Sequence, residues 1–233
     1  MRLHSFPKDF RALVIGASGG IGQALVQCLQ EFENCGTVLG ISRSSHPAID
    51  FDDEKSIELA AKALAGQGPF HLIINAIGIL QSDQFSPEKK IEQLSYAQME
   101  CMFRINTMGP AIVVQQFMPL MASERSVMAI LSAKVGSITD NRLGGWYSYR
   151  ASKAALNMMV KTAAIECKRK LPSAVIVALH PGTVDTALSA PFKGAQLGRK
   201  ARDAALDMLH TLDQLQADQS GGLFAYDGEQ LPF

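Results

Sequence analysis

A glycine-rich turn near the amino terminus constrains the fold of this chain more than any other stretch. A short apolar run, Ala12 to Ile15, breaks into Gly16-Ala-Ser-Gly-Gly20-Ile-Gly22, and apolar residues then recur at helical spacing from Ile21 through Leu29. The pattern predicts a strand, a tight loop and a helix. Backbone amides at such a helix N-terminus favour an anion such as a pyrophosphate, and glycine lets a phosphate approach closely. An ordinary turn without a ligand is the alternative, because glycine triplets also occur in turns that bind nothing.

Charge and composition argue against several classes of protein. The 233 residues contain 22 Lys plus Arg and 22 Asp plus Glu, and no basic run is interleaved with aromatic residues. We therefore expect no binding to nucleic acid or to an anionic membrane. No apolar run is long enough to span a bilayer and the first residues lack the apolar segment of a signal peptide, so we expect a cytoplasmic protein. The four cysteines lack metal-ligand spacing, which is typical of reduced packing residues.

Strand and helix signals alternate along the whole chain. After the first strand, further strands are predicted at Thr37–Ile41, Ala48–Phe51, Phe70–Gly78, Val127–Leu131, Ala174–Leu179 and around Phe224. Helices are predicted at Glu54–Leu64, Ser95–Met121, Tyr149–Lys168 and Ala201–Leu215. Strands separated by helices imply right-handed crossovers. We therefore predict a single α/β domain over residues 1–233, a doubly wound parallel sheet (Rossmann-like) with helices on both faces.

Ligands of such sheets bind at the carboxyl ends of the strands, so the residues that follow each strand are expected to share one site. Ser42 and Arg43 follow the second strand, and no acidic residue lies between Thr37 and Ser45. A carboxylate there would bind the ribose 2′-hydroxyl of NAD, whereas an arginine attracts the 2′-phosphate of NADP. The sequence therefore favours NADP(H) over NAD(H), with a solvated surface arginine as the alternative for Arg43.

Two further segments are placed to contact a dinucleotide. Asp50 and Phe51 end the third predicted strand, where they would touch an adenine edge. After the fourth strand, Asn75-Ala76-Ile77-Gly78 offers a polar side chain and a close backbone approach. A packing turn is the alternative for this last segment.

The residues with catalytic chemistry are concentrated in Trp146-Tyr-Ser-Tyr149-Arg-Ala-Ser-Lys153. Positions i and i+4 share a helix face, so Tyr149 and Lys153 should present a phenol and an ammonium side by side. A tyrosine is a poor base at neutral pH, and a nearby cation favours its phenolate form. Such a pair can exchange a proton with a carbonyl or alcohol oxygen while hydride moves to or from a nicotinamide. Without the glycine loop, a solvated helix face would be the better explanation of the pair.

With both features present, the chain resembles the short-chain dehydrogenase/reductase family over nearly its whole length. The matching residues are Gly16 to Gly22, Asn75 to Gly78, Asn106 within Arg104-Ile-Asn-Thr-Met-Gly109, Tyr149 to Lys153, and Pro181-Gly-Thr-Val-Asp-Thr186. Three segments look most like the C-factor branch, which is associated with cell-cell signalling: Ser132 to Ile138, Gly144 to Asn157, and the ending Tyr226 to Phe233.

The resemblance implies a role for individual residues. Tyr149 would be the general acid/base, Lys153 would hold the nicotinamide ribose and lower the tyrosine pKa, and Asn106 would kink its helix and anchor a water. The family's cofactor contacts carry over to the glycine loop at Gly16, Ser18, Gly20, Ile21 and Gly22, and to the nicotinamide end at Pro181, Gly182, Thr183, Val184 and Thr186. No metal site is expected.

The chain departs from the family at the serine that orients the substrate carbonyl. The family pattern places this serine three residues before Gly136, where this chain has Ala133. Ser132 lies one position earlier, and in a regular strand its side chain would point to the opposite face. Ser137 is the second candidate. We favour Ser132 as the catalytic serine, which requires a bulge or a shifted register at the end of the strand.

The resemblance and the remaining pattern also suggest a lid and an oligomer. Asp185 to Lys200 contains Pro191, two glycines and Lys193, Arg199 and Lys200, and is interpreted as a mobile lid over a small carbonyl or alcohol substrate with some apolar bulk. An irregular connection is the alternative. Family members are commonly dimers or tetramers, so we expect a homodimer or homotetramer, with a surface from Met158, Met159, Val160, Ile112, Val113 and Phe117. Core packing against the sheet is the alternative for these residues.

The sequence thus predicts an NADP-dependent oxidoreductase that interconverts a carbonyl and an alcohol. The alternative is a dinucleotide-binding signalling or regulatory protein with little or no turnover, which Ala133 at the serine position leaves open. Tyr149, Lys153 and Asn106 favour catalysis.

Overall fold

Seven strands form the central sheet of this protein, seen in a computed structural model that describes residues 1–192 and 194–233. The strands are β1 (Phe10–Ile15), β2 (Cys35–Ile41), β3 (Leu72–Asn75), β4 (Ser126–Leu131), β5 (Ala174–His180), β6 (Leu223–Ala225) and β7 (Gln230–Leu231). Their spatial order is β2-β1-β3-β4-β5-β6-β7, and every pair is parallel except β6 with β7. All carboxyl ends of the parallel strands therefore meet at one edge of the sheet.

Helices cover both faces of the sheet. They are α1 (Gly20–Gln30), α2 (Glu54–Leu64), α3 (Tyr96–Phe103), α4 (Gly109–Phe117), α5 (Tyr147–Lys170), α6 (Gly194–Leu197) and α7 (Ala201–Gln214). Short 3₁₀ turns lie at Ala65–Gln67, Ile91–Gln93, Met118–Leu120, Lys134–Gly136, Ala190–Phe192 and Ala217–Gln219. Because β-strand side chains alternate, Leu13 and Ile15 pack on the face of α2, α4 and α5, whereas Ala12 and Val14 pack on the face of α1 and α7. This confirms the predicted doubly wound sheet.

The predicted strand at Ala48–Phe51 is wrong. Its backbone groups bond locally, because the Ile49 amide donates to the Ser42 carbonyl and the Asp50 amide donates to the Ser56 hydroxyl. The segment is a turn that leads into α2, and it still ends at the carboxyl edge of the sheet. The last strand, β7, has no counterpart in the sequence prediction.

The predicted continuous helix at Ser95–Met121 is interrupted. Between α3 and α4 the chain makes a π-helical turn at Arg104–Met108, and a 3₁₀ turn follows α4. π-turns of this kind occur frequently at functional sites. Asn106 lies in the middle of the turn and is fully buried.

The surface expected to join subunits is only partly a surface. Val113, Phe117 and Val160 are at most 1% exposed and pack into the core between the sheet and α4 and α5. Met158 and Met159 are 66% and 47% exposed. Core packing, the alternative interpretation, is therefore correct for the first three residues. Among the residues that the structure describes, no helix is both long enough and apolar enough to cross a membrane.

Candidate active site

The glycine loop turns sharply between β1 and α1. Gly16 has φ +89°, a backbone conformation that residues with a side chain rarely adopt. Its amide donates to the Ile41 carbonyl at 2.8 Å. A Cβ on Gly22 would lie 2.1 Å from the Gly16 carbonyl oxygen, so only glycine allows this close packing. α1 begins at Gly20 without a side-chain cap. Its first amides and the positive end of the helix dipole are thus open to an anion.

A cavity of about 550 Å³ lies along the carboxyl edge of the sheet beside this loop. It is lined by many of the residues predicted to bind a cofactor: Gly16, Ser18, Ser42, Arg43, Asp50, Phe51, Ala76 and Gly78. Arg43 is exposed and Ser42 is buried, while the Phe51 ring is largely buried against Gly109. The structure therefore places one cationic side chain, Arg43, in this cavity at the end of β2.

A second, smaller cavity of about 230 Å³ opens nearer the start of α5. Its wall contains Tyr149 and Ser132 together with Ile21 of the glycine loop and the predicted nicotinamide-end residues, Pro181, Gly182, Thr183, Val184 and Thr186. A Cβ on Gly20 would lie 2.8 Å from the Thr186 Cγ2 atom, so the loop after β5 rests directly on the glycine turn. The predicted nicotinamide end therefore lies next to the glycine turn.

Tyr149 and Lys153 lie side by side on α5, as their spacing predicts. The Lys153 Nζ atom is 6.0 Å from the centroid of the Tyr149 ring and donates to the Leu131 carbonyl at 2.9 Å. Burial raises the pKa of the Tyr149 phenol to about 12. Burial also lowers the pKa of the Lys153 ammonium to about 8. Both shifts have one cause, since a low-dielectric environment disfavours the charged form of each group. The expectation that Lys153 lowers the pKa of Tyr149 is therefore wrong for this structure, because burial of the phenol raises that pKa instead.

Asn106 reaches this pair from the π-turn. Its Oδ1 atom accepts from the Ile79 amide at 2.9 Å and its Nδ2 atom donates to the Ile79 carbonyl at 2.8 Å. A Cβ on Gly78 would lie 3.3 Å from both the Asn106 Oδ1 and the Lys153 Nζ atoms. Gly78 therefore lets the segment after β3 pass between these two groups.

Four predicted cofactor residues, Gly20, Gly22, Asn75 and Lys153, support the site without lining either cavity. Gly20 and Gly22 supply backbone and space, as described above. Asn75 is fully buried, and its Oδ1 atom accepts from the Ile77 amide at 3.1 Å, which shapes the turn after β3. Its Nδ2 atom is buried without a partner among the described residues.

The two candidate serines have different surroundings. Ser132 lines the Tyr149 cavity, but its hydroxyl donates to the Asn157 Oδ1 atom at 2.6 Å. The Ser132 amide donates to the Leu179 carbonyl at 2.8 Å, so the pairing of β4 with β5 continues to the residue after β4 without the expected bulge. Ser137 is buried outside that cavity, and its Oγ atom accepts from the Asp140 amide. Of the two serines, only Ser132 shares a cavity with Tyr149.

His180 is a polar residue of this site that the sequence interpretation did not include. It ends β5 directly before Pro181 and lines the Tyr149 cavity. Its Nδ1 atom is buried without a hydrogen-bond partner in the described part of the chain. Burial, with a smaller effect of Lys134, lowers the pKa of His180 to about 4, so the ring is neutral at pH 7. Its position beside the recognised Pro181 motif was the available signal.

The predicted lid folds back on the loop after β5. The Asp185 amide donates to the Arg199 carbonyl, and the Arg199 amide donates to the Thr183 carbonyl, each at 2.9 Å. Leu188 and Phe192 line the Tyr149 cavity from this segment. Lys193 lies outside the described residues. Among those described, no cluster of His, Cys, Asp or Glu could hold a metal ion.

A comparison with family models places most of the chain in one group. A model described as short chain dehydrogenase matches residues 11–196. Among curated proteins, C-signal of Myxococcus xanthus is 34% identical over 167 residues, which are 71% of this chain and 94% of that protein. A second relative is 1-hydroxy-2-glutathionyl-2-methyl-3-butene dehydrogenase of Rhodococcus sp. strain AD45, 28% identical over 227 residues, with 93% and 96% covered.

Solved structures show the same fold. The NADPH-bound carbonyl reductase from chicken fatty liver superposes with a TM-score of 0.83 at 24% identity, covering 98% of this chain and 96% of that one. At this level of identity, the likeness establishes the fold alone.

Proposed function

The chain belongs to the short-chain dehydrogenase family, and from this premise we propose that it is an NADP(H)-dependent oxidoreductase that interconverts a carbonyl and an alcohol. The observation that carries the proposal is that Tyr149, at the wall of a cavity that adjoins the glycine turn, is paired with Lys153, which is buried behind that wall. A protein that only binds a dinucleotide has no need to bury an ammonium beside a phenol.

The residues present fit an NADP(H) molecule. The uncapped start of α1 suits the pyrophosphate, and Arg43 suits the 2′-phosphate. Lys153 and Asn106 meet at Gly78, close to the Tyr149 cavity, where a nicotinamide ribose would be held. When bound, the cofactor supplies hydride to a carbonyl or accepts it from an alcohol.

Tyr149 holds the proton of the proposed reaction on its phenol oxygen. Because burial raises its pKa to about 12, the phenol is protonated at pH 7, the form that can donate to a developing alkoxide. The Lys153 ammonium, fixed by the Leu131 carbonyl, favours the phenolate that remains after this transfer. Ser132 would orient the carbonyl only after its hydroxyl leaves Asn157.

The cavity indicates an apolar substrate. Trp146, Phe192, Leu188 and Leu80 form much of its wall around the Tyr149 phenol. We propose a small carbonyl compound or alcohol with apolar bulk beside the reacting carbon. The name of the Rhodococcus relative, a dehydrogenase, agrees with this class of reaction.

A second function is favoured by the bonded state of Ser132 and by Ala133 beside it. No free hydroxyl is presented at the position where the family has its orienting serine. Together with the similarity to C-signal, this supports a dinucleotide-binding regulatory protein with little turnover as the alternative.

A combined binding and turnover experiment separates the two functions. NADPH and NADH are titrated by fluorescence, and oxidation is then followed at 340 nm against a panel of aldehydes and ketones with wild type and Tyr149→Phe. Oxidation selective for NADPH that is lost in Tyr149→Phe supports the oxidoreductase. Tight binding without turnover supports the regulatory protein, and absence of binding contradicts both. In the same assay, Ser132→Ala is expected to lose more turnover than Ser137→Ala.

We also propose that the protein is a cytoplasmic homodimer or homotetramer. The exposed Met158 and Met159 on α5 supply apolar surface for such an assembly. Light scattering that gives the mass of a monomer would contradict this.

A further inference from the structure

A buried carboxylate outside the proposed catalytic pair contacts the start of the catalytic helix. Glu88 is 2% exposed and comes from the loop that precedes α3. Its carboxylate accepts from the Ser148 hydroxyl, and from the Ser148 amide at 3.3 and 3.4 Å. α5 has no cap from its own Trp146 side chain. Glu88 therefore supplies both the missing acceptor and a negative charge at the positive end of the helix dipole.

The same residue fixes an unusual backbone turn. Gly144, Gly145 and Trp146 have φ of 62°, 65° and 51°, so three consecutive residues are left-handed. Glycine adopts this conformation freely, but for a tryptophan it is strained and persists only where the surroundings enforce it. The Trp146 amide donates to the Glu88 main-chain carbonyl at 2.5 Å. Glu88 thus fixes the chain at the strained residue through its main-chain carbonyl, and two residues further on, at Ser148, through its carboxylate.

This turn places the Trp146 ring beside the ring of Tyr149, the proposed acid/base. Trp146 lines the same cavity as Tyr149, and its ring centroid is 6.2 Å from that of Tyr149 with an interplanar angle of 73°. On its other side, the centroid of Phe192 is 5.4 Å away at 64°. Three aromatic rings in edge-to-face contact therefore form one continuous wall.

We propose that Glu88 is a positioning residue that holds Trp146 in the cavity wall, and that Trp146 makes the site selective for carbonyl compounds with one aromatic ring next to the carbonyl. The proposal deepens the oxidoreductase function and rests on it. A flat ring of the substrate can pack against the aromatic wall in the edge-to-face or offset geometry that aromatic pairs prefer. The cavity of about 230 Å³ is also lined by the residues proposed to hold the nicotinamide, so only part of its volume is left for the substrate, which favours a single ring.

The test uses the single tryptophan of the chain, since its fluorescence reports on Trp146 alone. Emission and acrylamide quenching are measured for wild type, Glu88→Ala, Glu88→Gln and the control Glu92→Gln, whose carboxylate is on an exposed residue of the adjacent 3₁₀ turn. We expect Glu88→Ala to shift the emission to longer wavelength and to at least double the quenching constant. Glu88→Gln, which keeps an acceptor and loses the charge, should fall between it and wild type, and Glu92→Gln should match wild type.

Selectivity is measured as the ratio of kcat/KM for benzaldehyde to kcat/KM for butanal with NADPH. We expect this ratio to fall about tenfold in Glu88→Ala and in Trp146→Leu, with the NADPH affinity unchanged, because a pocket contact of this size changes discrimination by about that factor. A purely structural role would lower the melting temperature and leave the ratio of the folded enzyme intact. If Glu88→Ala does not fold, Glu88→Gln and Trp146→Leu decide the same comparison.

Two outcomes overturn different parts of the inference. An active Glu88→Ala enzyme with wild-type emission and a wild-type ratio overturns the positioning role of Glu88. A wild type that binds NADPH but reduces neither aldehyde nor any ketone overturns the proposed function and the selectivity with it, whereas the fluorescence comparison still decides whether Glu88 positions Trp146.

Discussion

Replacing the buried Lys153 with methionine should stabilise the protein relative to wild type, and this gain in the free energy of unfolding should be larger at neutral pH than at alkaline pH. Lys153 is 3% exposed, and burial lowers its pKa from 10.5 to about 8. At about 1.36 kcal/mol per pKa unit, this difference disfavours the charged native form by ~3 kcal/mol at pH 7. Methionine has a similar length without the charge, so it removes this penalty.

The sign follows from proton linkage. The native-state pKa is lower than the unfolded-state pKa, so the unfolded chain binds more protons between about pH 8 and pH 10.5 and wild-type stability rises across this window. Below pH 8 the full penalty is present in wild type. The variant also loses the hydrogen bond to the Leu131 carbonyl, worth ~1–3 kcal/mol when the carbonyl is left unpaired, but this loss does not change with pH.

The measured quantity is therefore the difference in the free energy of unfolding between wild type and variant, compared between two pH values. Urea unfolding is followed by far-ultraviolet circular dichroism at pH 7 and about pH 9.5 for wild type, Lys153→Met and the control Lys168→Met, an exposed lysine of the same helix. From pH 7 to about pH 9.5, we expect the free energy of unfolding to rise by ~2 kcal/mol more in wild type than in Lys153→Met. The control should show the same change as wild type. Equal pH profiles for wild type and Lys153→Met would refute the assignment of a buried, desolvated ammonium at this position.

Three further predictions concern the glycine turn, the end of β2 and the end of β5. Gly22→Ala should lower the free energy of unfolding by ~1–3 kcal/mol and weaken NADPH binding, because its Cβ would lie 2.1 Å from a backbone oxygen. The control Gly66→Ala, which has open space around it, should change neither the free energy measured by urea unfolding nor the affinity measured by titration. Arg43→Ala should weaken NADPH binding by ~10–100-fold and leave NADH binding unchanged, so equal losses for both cofactors in fluorescence titration would contradict its role. Burial lowers the pKa of His180 to about 4, so wild type should lose ~1–2 kcal/mol of stability as pH falls from 7 to 5, and an equally steep loss in His180→Leu would count against this cause.

Local patterns predicted most of the fold, because each strand and helix has its own period and its own turn residues. The prediction failed at Ala48–Phe51, where the apolar residues suit a strand but the amides bond to Ser42 and Ser56 instead. The interruption of the helix at Asn106 came only from the resemblance, since helical periodicity runs through it. Both departures depend on hydrogen bonds to other segments, which sequence spacing does not contain.

The candidate site divides in the same way. The glycine turn, Arg43 and the Tyr149–Lys153 pair follow from spacing and from the rule that strand ends share one edge. The choice between Ser132 and Ser137 did not follow, because it depends on which hydroxyl reaches the cavity and on Asn157, which lies 25 positions from Ser132. His180 was missed for a similar reason, since it lines the Tyr149 cavity only because β5 pairs with β4 in the folded sheet.

The sequence by itself determined most of the strands and helices, the glycine turn at Gly16 to Gly22, and the phenol and ammonium on one helix face, because these depend on contacts between near neighbours in the chain. Only the tertiary structure decided how strongly Tyr149 and Lys153 are desolvated, since burial comes from segments far away in sequence. It also decided that Glu88 caps α5 from 60 positions away, because long-range packing alone brings that carboxylate to Ser148.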